Sequence, residues 1–236
     1  RLYIGRNGCG RCMYGNYRTS ITVMLKIPFI PKDDSLSIID KGAHIRISSV
    51  NWPDAQQSSP VSECFACHDG ATLKLLFRVN QPIARAVNGE NQSPVSQDSC
   101  VEAFFQPEDC GEYWNFEFNC IGAVNGSHRL VRPNPTRLTD AEIATIGRTP
   151  SLGTEPFGER VCADAWTLLV EIPLAIIGID ASAGATIRGN FYSCSSKSAK
   201  PYYLSWNPIN TENPDFHRTE YFGKIELEAI PESGIR

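Results

Sequence analysis

Short runs rich in β-branched and aromatic residues recur from about residue 43 onward, each bounded by Gly, Pro, Asn or Asp. Runs of this kind at regular spacing predict the strands of an all-β sandwich or barrel. The predicted strands cover residues 44–50, 61–67, 72–79, 101–106, 113–120, 166–172, 186–193, 202–206 and 221–228. We therefore expect an all-β fold, an antiparallel β-sandwich of the immunoglobulin-like or jelly-roll type.

The sequence predicts one short helix, which begins at Thr139 and ends near Gly147. Thr139 and Glu142 have the spacing of a capping box, in which each side chain accepts a hydrogen bond from the other residue's backbone N–H. The helix falls within residues 132–163, the longest predicted non-strand segment, which contains four prolines. A long irregular segment of this kind is typical of a binding-site rim or lid.

The predicted strand over residues 113–120 alternates between apolar and polar side chains. Successive side chains of a strand point to opposite faces, so Trp114, Phe116 and Phe118 are expected to face the core. Their polar neighbours face the other way, as do alternate residues of the strands over 101–106 and 186–193. If these strands share a sheet, the opposite face carries Glu102, Asn115, Glu117, Asn119, Arg188, Asn190 and Tyr192.

This set of carboxylates, amides and one arginine suits a neutral polyol ligand. Each sugar hydroxyl both donates and accepts hydrogen bonds, and an arginine supplies a fixed fork of donors. Two other interpretations stay open. The polar face is also explained as a solvated sheet face with cross-strand ion pairs, and Glu102 with Glu117 is a candidate acid and nucleophile pair of a glycosidase.

Composition favours one soluble domain. The chain has 236 residues, of which 42% are hydrophobic, enough to bury a substantial core. The net charge is −4 and the basic residues are scattered, which argues against nucleic acid and anionic membranes as partners. The longest apolar stretch, residues 168–179, is too short to span a bilayer and is interrupted by Glu171 and Pro173.

The N-terminal residues 1–23 lack the apolar core of a signal peptide, and Met24 opens a segment that looks like a natural protein start. We therefore predict that residues 1–23 are a non-native or disordered extension and that residues 24–236 form a single domain. Nine cysteines, an odd number, without a secretion signal favour reduced thiols and a cytoplasmic location. The sequence leaves the oligomeric state unspecified.

Two cysteine motifs introduce metal and haem chemistry as alternatives. Cys64, Cys67 and His68 have the spacing of a c-type haem attachment site, but they fall in a predicted strand, where burial explains the thiols. Cys9 and Cys12 could complete a four-cysteine zinc site with the first motif, although 51 residues separate the two pairs. A haem or redox domain of related fold is kept as an alternative function.

A series of short motifs lies in a fixed order between about residues 38 and 228. They are Trp52-Pro53, Asp98-Ser99-Cys100-Val101-Glu102, Asn115-Phe116-Glu117-Phe118-Asn119, Glu171-Ile172-Pro173, Gly189-Asn190-Phe191-Tyr192, Ser205-Trp206-Asn207-Pro208 and Pro214-Asp215-Phe216-His217-Arg218. Together they resemble the family 9 carbohydrate-binding modules, especially the stand-alone bacterial proteins described as family 9-like. The resemblance implies a β-sandwich that binds a saccharide without catalysis, a link to carbohydrate catabolism, and structural calcium ions.

The resemblance also implies a site in which two aromatic side chains sandwich the sugar ring. One aromatic position falls on Phe216, whereas the other falls on Val95, so half of the clamp is missing. The family's glutamate falls on Glu102, and a family arginine on the next strand appears here as Glu117. His217 lies beside Phe216 and is a candidate donor at the rim. Candidate substitutes for the missing aromatic are Trp206, Tyr202, Tyr203 and Trp114.

The sequence therefore predicts a saccharide or polyol site without catalytic residues of its own. Its predicted ligand-binding residues are Glu102, Asn115, Glu117, Asn119, Arg188, Asn190, Trp206, Phe216 and His217. Calcium would need oxygen ligands. The aspartates considered for it, none of which lies in a dense loop motif, are Asp33, Asp34, Asp69, Asp98 and Asp109.

Overall fold

The computed structural model describes residues 24–31 and 38–232. Within these ranges the strands are β1 (Leu25–Ile27), β2 (Ala43–Arg46), β3 (Ser49–Val50), β4 (Val61–His68), β5 (Thr72–Asn80), β6 (Ile83–Ala86), β7 (Cys100–Pro107), β8 (Tyr113–Asn119), β9 (Val124–Arg129), β10 (Thr136–Arg137), β11 (Gly147–Pro150), β12 (Phe157–Val161), β13 (Trp166–Pro173), β14 (Ala185–Cys194), β15 (Tyr203–Ser205) and β16 (Gly223–Leu227). The α-helices are α1 (Ile38–Lys41), α2 (Asp140–Thr145) and α3 (Leu174–Ile177). The predictions for residues 1–23, with Cys9 and Cys12, and for Asp33 and Asp34 lie outside the described residues.

The strands form two main sheets and one small ribbon. The larger sheet has the order β1-β16-β14-β7-β8-β9-β10, and β15 and β3 extend it beside β14. The second sheet has the order β11-β13-β5-β4-β2, and β12 pairs with β6. All these pairings are antiparallel except that of β1 with β16. The predicted antiparallel β-sandwich is confirmed.

One hydrophobic core lies between the two sheets. Phe105, Phe116 and Phe118 of the larger sheet are fully buried in the same cluster as Phe77 and Trp166 of the second sheet. These residues occupy alternate positions of their strands, which is the pattern expected of a face that packs inward. The alternation seen in the sequence therefore assigned the core face of β8 correctly.

The predicted strand over residues 44–50 is two strands in the structure. β2 pairs with β4 in the second sheet, whereas β3 pairs with β15 in the larger sheet. The chain passes from one sheet to the other between them. A continuous run of β-forming residues does not reveal such a change of partner.

The segment over residues 132–163 was predicted to be free of strands, and this is wrong. It contains β10, β11 and β12, and β11 pairs with β13 at the edge of the second sheet. Proline is compatible with edge strands, because an edge has positions that need no N–H donor. The predicted helix is present as α2, and the structure adds the short helices α1 and α3.

The capping box of α2 is formed as predicted. The Glu142 N–H donates to Thr139 Oγ1 at 3.3 Å, and the Thr139 N–H donates to Glu142 Oε2 at 2.7 Å. No helix in the described ranges is long and apolar enough to cross a membrane.

Candidate functional site

The outer face of the larger sheet carries a second apolar cluster, which we call the outer cluster. Phe104, Tyr113 and Tyr192 extend outward from β7, β8 and β14, and Phe216 joins them from the β15–β16 loop (residues 206–222). The Phe216 ring stacks on Tyr192 with 4.2 Å between centroids and 13° between planes. The full cluster is Trp52, Val95, Cys100, Phe104, Tyr113, Ala123, Tyr192, Cys194, Ile209, Phe216 and Phe222. The interpretation of this face as an ordinary solvated surface is therefore wrong.

A pocket of about 130 Å³ lies beside the outer cluster, and Cys194 and Phe216 of that cluster line part of it. Glu102 and Glu117, which are direct partners across β7 and β8, contribute their carboxyl groups to it. Phe216 and His217 line it from the β15–β16 loop. These four predicted residues are joined by Ser96, Arg132, Cys194, Ser196, Tyr203, Pro214 and Asp215.

Glu117 is held in a fixed orientation by amide side chains. Asn115 Nδ2 donates to Glu117 Oε1 at 3.0 Å, and Asn125 Nδ2 donates to Oε2 at 3.1 Å. Asn115 is itself positioned by Ser127, whose hydroxyl donates to Asn115 Oδ1 at 2.8 Å. Burial raises the pKa of Glu117, and the hydrogen bonds from both amides oppose this rise. Asn115 thus supports the pocket from behind instead of lining it.

Glu102 has different surroundings from Glu117. Its Oε1 atom lies 3.4 Å from Cys194 Sγ and 4.0 Å from Cys100 Sγ, so its donors are weakly polar thiols. Burial, followed by the neighbouring Cys194 and Glu117, raises the pKa of Glu102 well above its usual range. Cys100 and Cys194 are direct partners across β7 and β14. Within the described ranges, Cys100, Glu102 and Cys194 are the one group of three or more His, Cys, Asp or Glu residues whose ligand atoms all lie within 4.8 Å of one another.

Arg132 and Asp215 add charged groups to the rim of the pocket. Arg132 Nη1 lies 3.3 Å from Asp215 Oδ1, and Arg218 Nε lies 2.8 Å from Asp215 Oδ2. The backbone N–H of His217 also donates to Asp215 Oδ1, at 3.1 Å. Asp215 therefore orders the loop that carries Phe216 and His217. Its place next to Phe216 in the sequence was a usable signal, whereas Arg132 comes from a distant loop that no local motif identifies.

His217 is held in its neutral form. Its Nδ1 atom lies 2.9 Å from Tyr113 Oη, and its ring packs against Phe104 with 4.9 Å between centroids. Burial, with smaller contributions from Arg129 and Arg132, lowers the pKa of His217 to about 3. The imidazole is therefore a neutral hydrogen-bonding group at ordinary pH.

Tyr203 is the aromatic residue that accompanies Phe216 in the pocket. Phe216 is only 9% exposed, because Tyr192 covers one of its faces. Tyr203 is partly exposed and lies edge-on to Phe216 at 6.4 Å between centroids. Val95, at the expected second clamp position, is fully buried in the outer cluster. Of the substitutes considered for Val95, Tyr203 is the one that lines the pocket.

Four predicted ligand-binding residues have structural partners outside the pocket. Arg188 Nη2 donates to the carbonyl oxygens of Thr219 at 2.8 Å and Phe222 at 3.4 Å, so it anchors the end of the β15–β16 loop. Asn190 exchanges two hydrogen bonds with the backbone of Asn207, at 3.1 and 2.9 Å. Their assignment to the pocket is corrected: strand alternation identified their face, but the loop backbone occupies their polar groups.

The same correction applies to Asn119 and Trp206. Asn119 Nδ2 donates to the Asn88 carbonyl at 2.6 Å and to Asp98 Oδ2 at 3.1 Å. Trp206 packs edge-on against Phe191 at 5.8 Å between centroids, on the side of the main core. Both side chains stabilise the fold around the pocket.

Two of the aspartates considered for calcium, Asp98 and Asp69, do not fit that ion because other groups occupy their oxygens. Asp98 accepts from Arg85 Nη1, from the Val87 and Asn88 backbone N–H groups and from the Asn88 and Asn119 amides, at 2.9–3.1 Å. Asp69 lies 3.2 Å from Lys74 Nζ, and both side chains are buried. Calcium requires free oxygen lone pairs, and N–H donors or an ammonium group use them here.

The cysteine motif of β4 is structural. Cys64, Cys67 and His68 are all buried, with Cys64 in the main core and Cys67 in a separate small cluster on the other face of the strand. This agrees with the prediction that burial explains these thiols.

The fold and the pocket together define a β-sandwich binding module, with a polar and aromatic site on the covered outer face of its larger sheet. The family comparison is specific: residues 32–227 match the model of carbohydrate-binding family 9, and the chain belongs to that family. No curated protein sequence gives a significant match.

Solved structures have the same fold. A candidate carbohydrate-binding protein from Bacteroides uniformis ATCC 8492 is 30% identical, with a TM-score of 0.79 over 87% of this chain and 97% of that one. A family 9 carbohydrate-binding module from Caldicellulosiruptor kristjanssonii in complex with cellotriose is 14% identical, with a TM-score of 0.58 over 91% of this chain and 98% of that one. The glucose complex of such a module from the same organism gives 14% identity and a TM-score of 0.55 over 88% and 97%.

Proposed function

We propose that the pocket lined by Glu117, Arg132, Tyr203, Asp215 and Phe216 binds a saccharide without chemical turnover. The observation that carries this proposal is the mixture of groups that line one concave site: acceptor carboxylates, an arginine and two aromatic rings. Sugars present hydroxyl groups that need both donors and acceptors, and apolar C–H faces that pack on aromatic rings.

The polar groups of the pocket are positioned before a ligand arrives. Glu117 is fixed by Asn115 and Asn125, and Asp215 is fixed by Arg218 and the His217 N–H. Preorganised groups lose little conformational entropy on binding. We therefore expect the pocket to change little between its free and bound forms.

Saccharides are favoured as ligands by family membership and by the neighbouring structures in complex with cellotriose and glucose. The net charge of −4 disfavours nucleic acids and anionic lipid surfaces as competing ligands. Glucose and cellotriose are accordingly the first ligands to test.

Thermal unfolding with each of these sugars tests the proposal. A ligand that binds only the native state raises the melting temperature in a dose-dependent way. We expect such a rise for the parent protein and a clearly smaller one for Arg132→Ala.

Arg78→Ala is the matched control. The Arg78 side chain is 59% exposed, against 60% for Arg132, and each lies within 4.0 Å of a carboxylate. Arg78 belongs to β5 in the second sheet, away from the pocket. Equal shifts in Arg132→Ala and Arg78→Ala, or no shift with any sugar in the parent protein, would contradict the proposed site.

Glycoside hydrolysis is the second candidate function, and one observation favours it. Glu102 and Glu117 are directly opposed across two strands, and burial raises the pKa of both. A glycosidase needs one carboxyl group that stays protonated as the general acid beside a second carboxylate. Release of reducing ends from cellotriose that disappears in Glu102→Gln would establish hydrolysis, whereas saturable binding with intact cellotriose would establish a binding module.

A further inference from the structure

Two thiols and one carboxyl group converge at the inner end of the pocket. Cys100 and Glu102 are two residues apart on β7 and so point to the same face, and Cys194 is the partner of Cys100 on β14. We propose that Cys100, Glu102 and Cys194 bind a thiophilic divalent cation of the Zn²⁺ type. This site is distinct from the calcium sites that family resemblance implies.

The distances suit a tetrahedral ion. Zn–S bonds of about 2.3 Å and Zn–O bonds of about 2.0–2.2 Å place sulfur and oxygen ligands roughly 3.6 Å apart at tetrahedral angles. Glu102 Oε1 lies 3.4 Å from Cys194 Sγ and 4.0 Å from Cys100 Sγ. All three ligand atoms lie within 4.8 Å of one another, so small side-chain rotations suffice to close the site.

The donor set selects the metal class. Thiolates prefer Zn²⁺ and similar borderline or soft ions, whereas Ca²⁺ and Mg²⁺ require oxygen ligands. Three protein ligands leave a fourth position open, as in zinc sites that bind water or a substrate. Glu102 and Cys194 both line the pocket, so this fourth position faces the space assigned to the saccharide.

The surroundings of Glu102 separate it from the other buried acids at this end of the fold. Asp98 and Glu117 accept N–H hydrogen bonds on both oxygens. The donors to Glu102 in the described part of the chain are the Cys100 and Cys194 thiols. The oxygens of Glu102 are therefore less occupied by strong donors than those of Asp98 and Glu117, which leaves lone pairs available to an ion.

Metal binding must release protons. Thiol and carboxyl ligands must lose their protons to bind the ion. One Zn²⁺ would displace two thiol protons and the carboxyl proton when Glu102 is protonated, and no electron transfer is involved. The apparent affinity should accordingly rise with pH.

Titration of the reduced full chain with Co²⁺ tests the proposal. Cobalt bound by thiolates in a tetrahedral site gives a sulfur-to-metal charge-transfer band in the near ultraviolet together with strong visible bands, and Zn²⁺ should displace both. Because the chain contains other cysteines, the decisive comparison is between variants. We expect Cys100→Ser and Cys194→Ser each to lose one equivalent of bound Co²⁺.

Cys120→Ser is the matched control, because Cys120 is a fully buried thiol next to the same sheet that does not line the pocket. It should keep the full Co²⁺ stoichiometry. Glu102→Gln keeps both thiols and provides a second test if a serine variant does not fold. We expect it to retain the charge-transfer band and to bind Co²⁺ more weakly.

Two results would overturn the metal site. The first is a ligand variant that binds Co²⁺ as the parent protein does, shown by unchanged stoichiometry in folded Cys100→Ser or Cys194→Ser or by unchanged affinity in Glu102→Gln. The second is a Cys100–Cys194 disulfide that persists in reductant, detected by mass spectrometry. Neither result depends on sugar binding, which is measured separately in the presence of a chelator. The metal proposal and the saccharide proposal can therefore fail independently.

Discussion

At the scale of single residues, position in a strand and chemical role are separate properties. Glu102 and Glu117 are direct partners in the sheet, yet one is surrounded by thiols and the other by amides. The alternation of β8 identifies the face on which Glu117 lies. It contains no information on Asn125 or Cys194, which reach these carboxyl groups from β9 and β14.

Glu102 makes the stability of the protein depend on pH. Its folded-state pKa is raised above the unfolded value of about 4.3, so the unfolded chain releases this proton at lower pH than the folded protein does. Stability is therefore highest below about pH 4.3, as far as this group is concerned, and falls as pH rises toward the folded-state pKa.

We expect Glu102→Gln to remove this fall, so that its free energy of unfolding declines less than that of the parent protein as pH rises. Urea unfolding from pH 4 to pH 8 in a chelator measures it. The exposed Glu90→Gln variant is the control and should follow the parent curve. Parallel curves for Glu102→Gln and the parent protein would show that Glu102 is not perturbed.

The contribution of His217 to stability depends on pH in the opposite direction. Its folded-state pKa of about 3 lies below the unfolded value of about 6.5, so acidification protonates the unfolded chain first. Its contribution to stability is present above pH 6.5 and is lost as pH falls toward 3.

His217→Asn retains a side-chain hydrogen-bonding partner for Tyr113 and lacks the titrating group. We expect its urea midpoint to decline less than that of the parent protein between about pH 6.5 and pH 4. His128→Asn serves as the control, because His128 lies on β9 outside the pocket. Equal declines of the urea midpoint in His217→Asn and His128→Asn would contradict the lowered pKa of His217.

At the scale of elements, the loops decide which polar side chains stay available. The same outward face of the larger sheet contains Glu117, which lines the pocket, and Arg188, which is bonded to the β15–β16 loop. Strand alternation could predict the face, and the capping box could predict α2. The covering of the sheet by the loop is a long-range contact, and neither periodicity nor a local motif encodes it.

Arg188 is expected to influence binding through the loop. Its hydrogen bonds to the Thr219 and Phe222 carbonyls involve a charged donor, so Arg188→Ala should lower the free energy of unfolding by about 1.5–3 kcal/mol. Sugar affinity should fall with it, because the same loop carries Phe216.

Limited proteolysis of the β15–β16 loop distinguishes this positioning role from direct ligand contact. Arg188→Ala should be cleaved faster than the parent protein when no sugar is present, and Arg188→Lys should restore part of the protection. Weaker sugar binding with an unchanged cleavage rate would instead assign Arg188 to the ligand.

Thr139 offers a test of an element that does not contribute to the pocket. Thr139→Ala removes the capping side chain of α2 and should cost about 1 kcal/mol of stability, measured by urea unfolding. Saccharide binding should be unchanged. A loss of sugar affinity would show that α2 and the pocket are coupled, contrary to the structure proposed for the site.

At the scale of the whole molecule, the sandwich and its core follow from strand patterning, because apolar alternation fixes the inward face of β7, β8 and β14. The pocket depends on residues far apart in the sequence: Ser96, Arg132, Tyr203 and Asp215 meet only after the sheet and its loops have assembled. This explains why the fold could be predicted closely, whereas only Glu102, Glu117, Phe216 and His217 of the predicted site proved to line the pocket.

The central claim is that this pocket binds a saccharide, and isothermal titration of cellotriose into the parent protein and Glu117→Gln tests it most directly. We predict saturable binding with one site per chain, weakened about tenfold or more by Glu117→Gln, because a charge-assisted hydrogen bond contributes about 1.5–3 kcal/mol. Equal affinity for both proteins, with Glu117→Gln folded, would contradict the proposed location, and the absence of binding heat in the parent protein across temperatures would contradict cellotriose as its ligand.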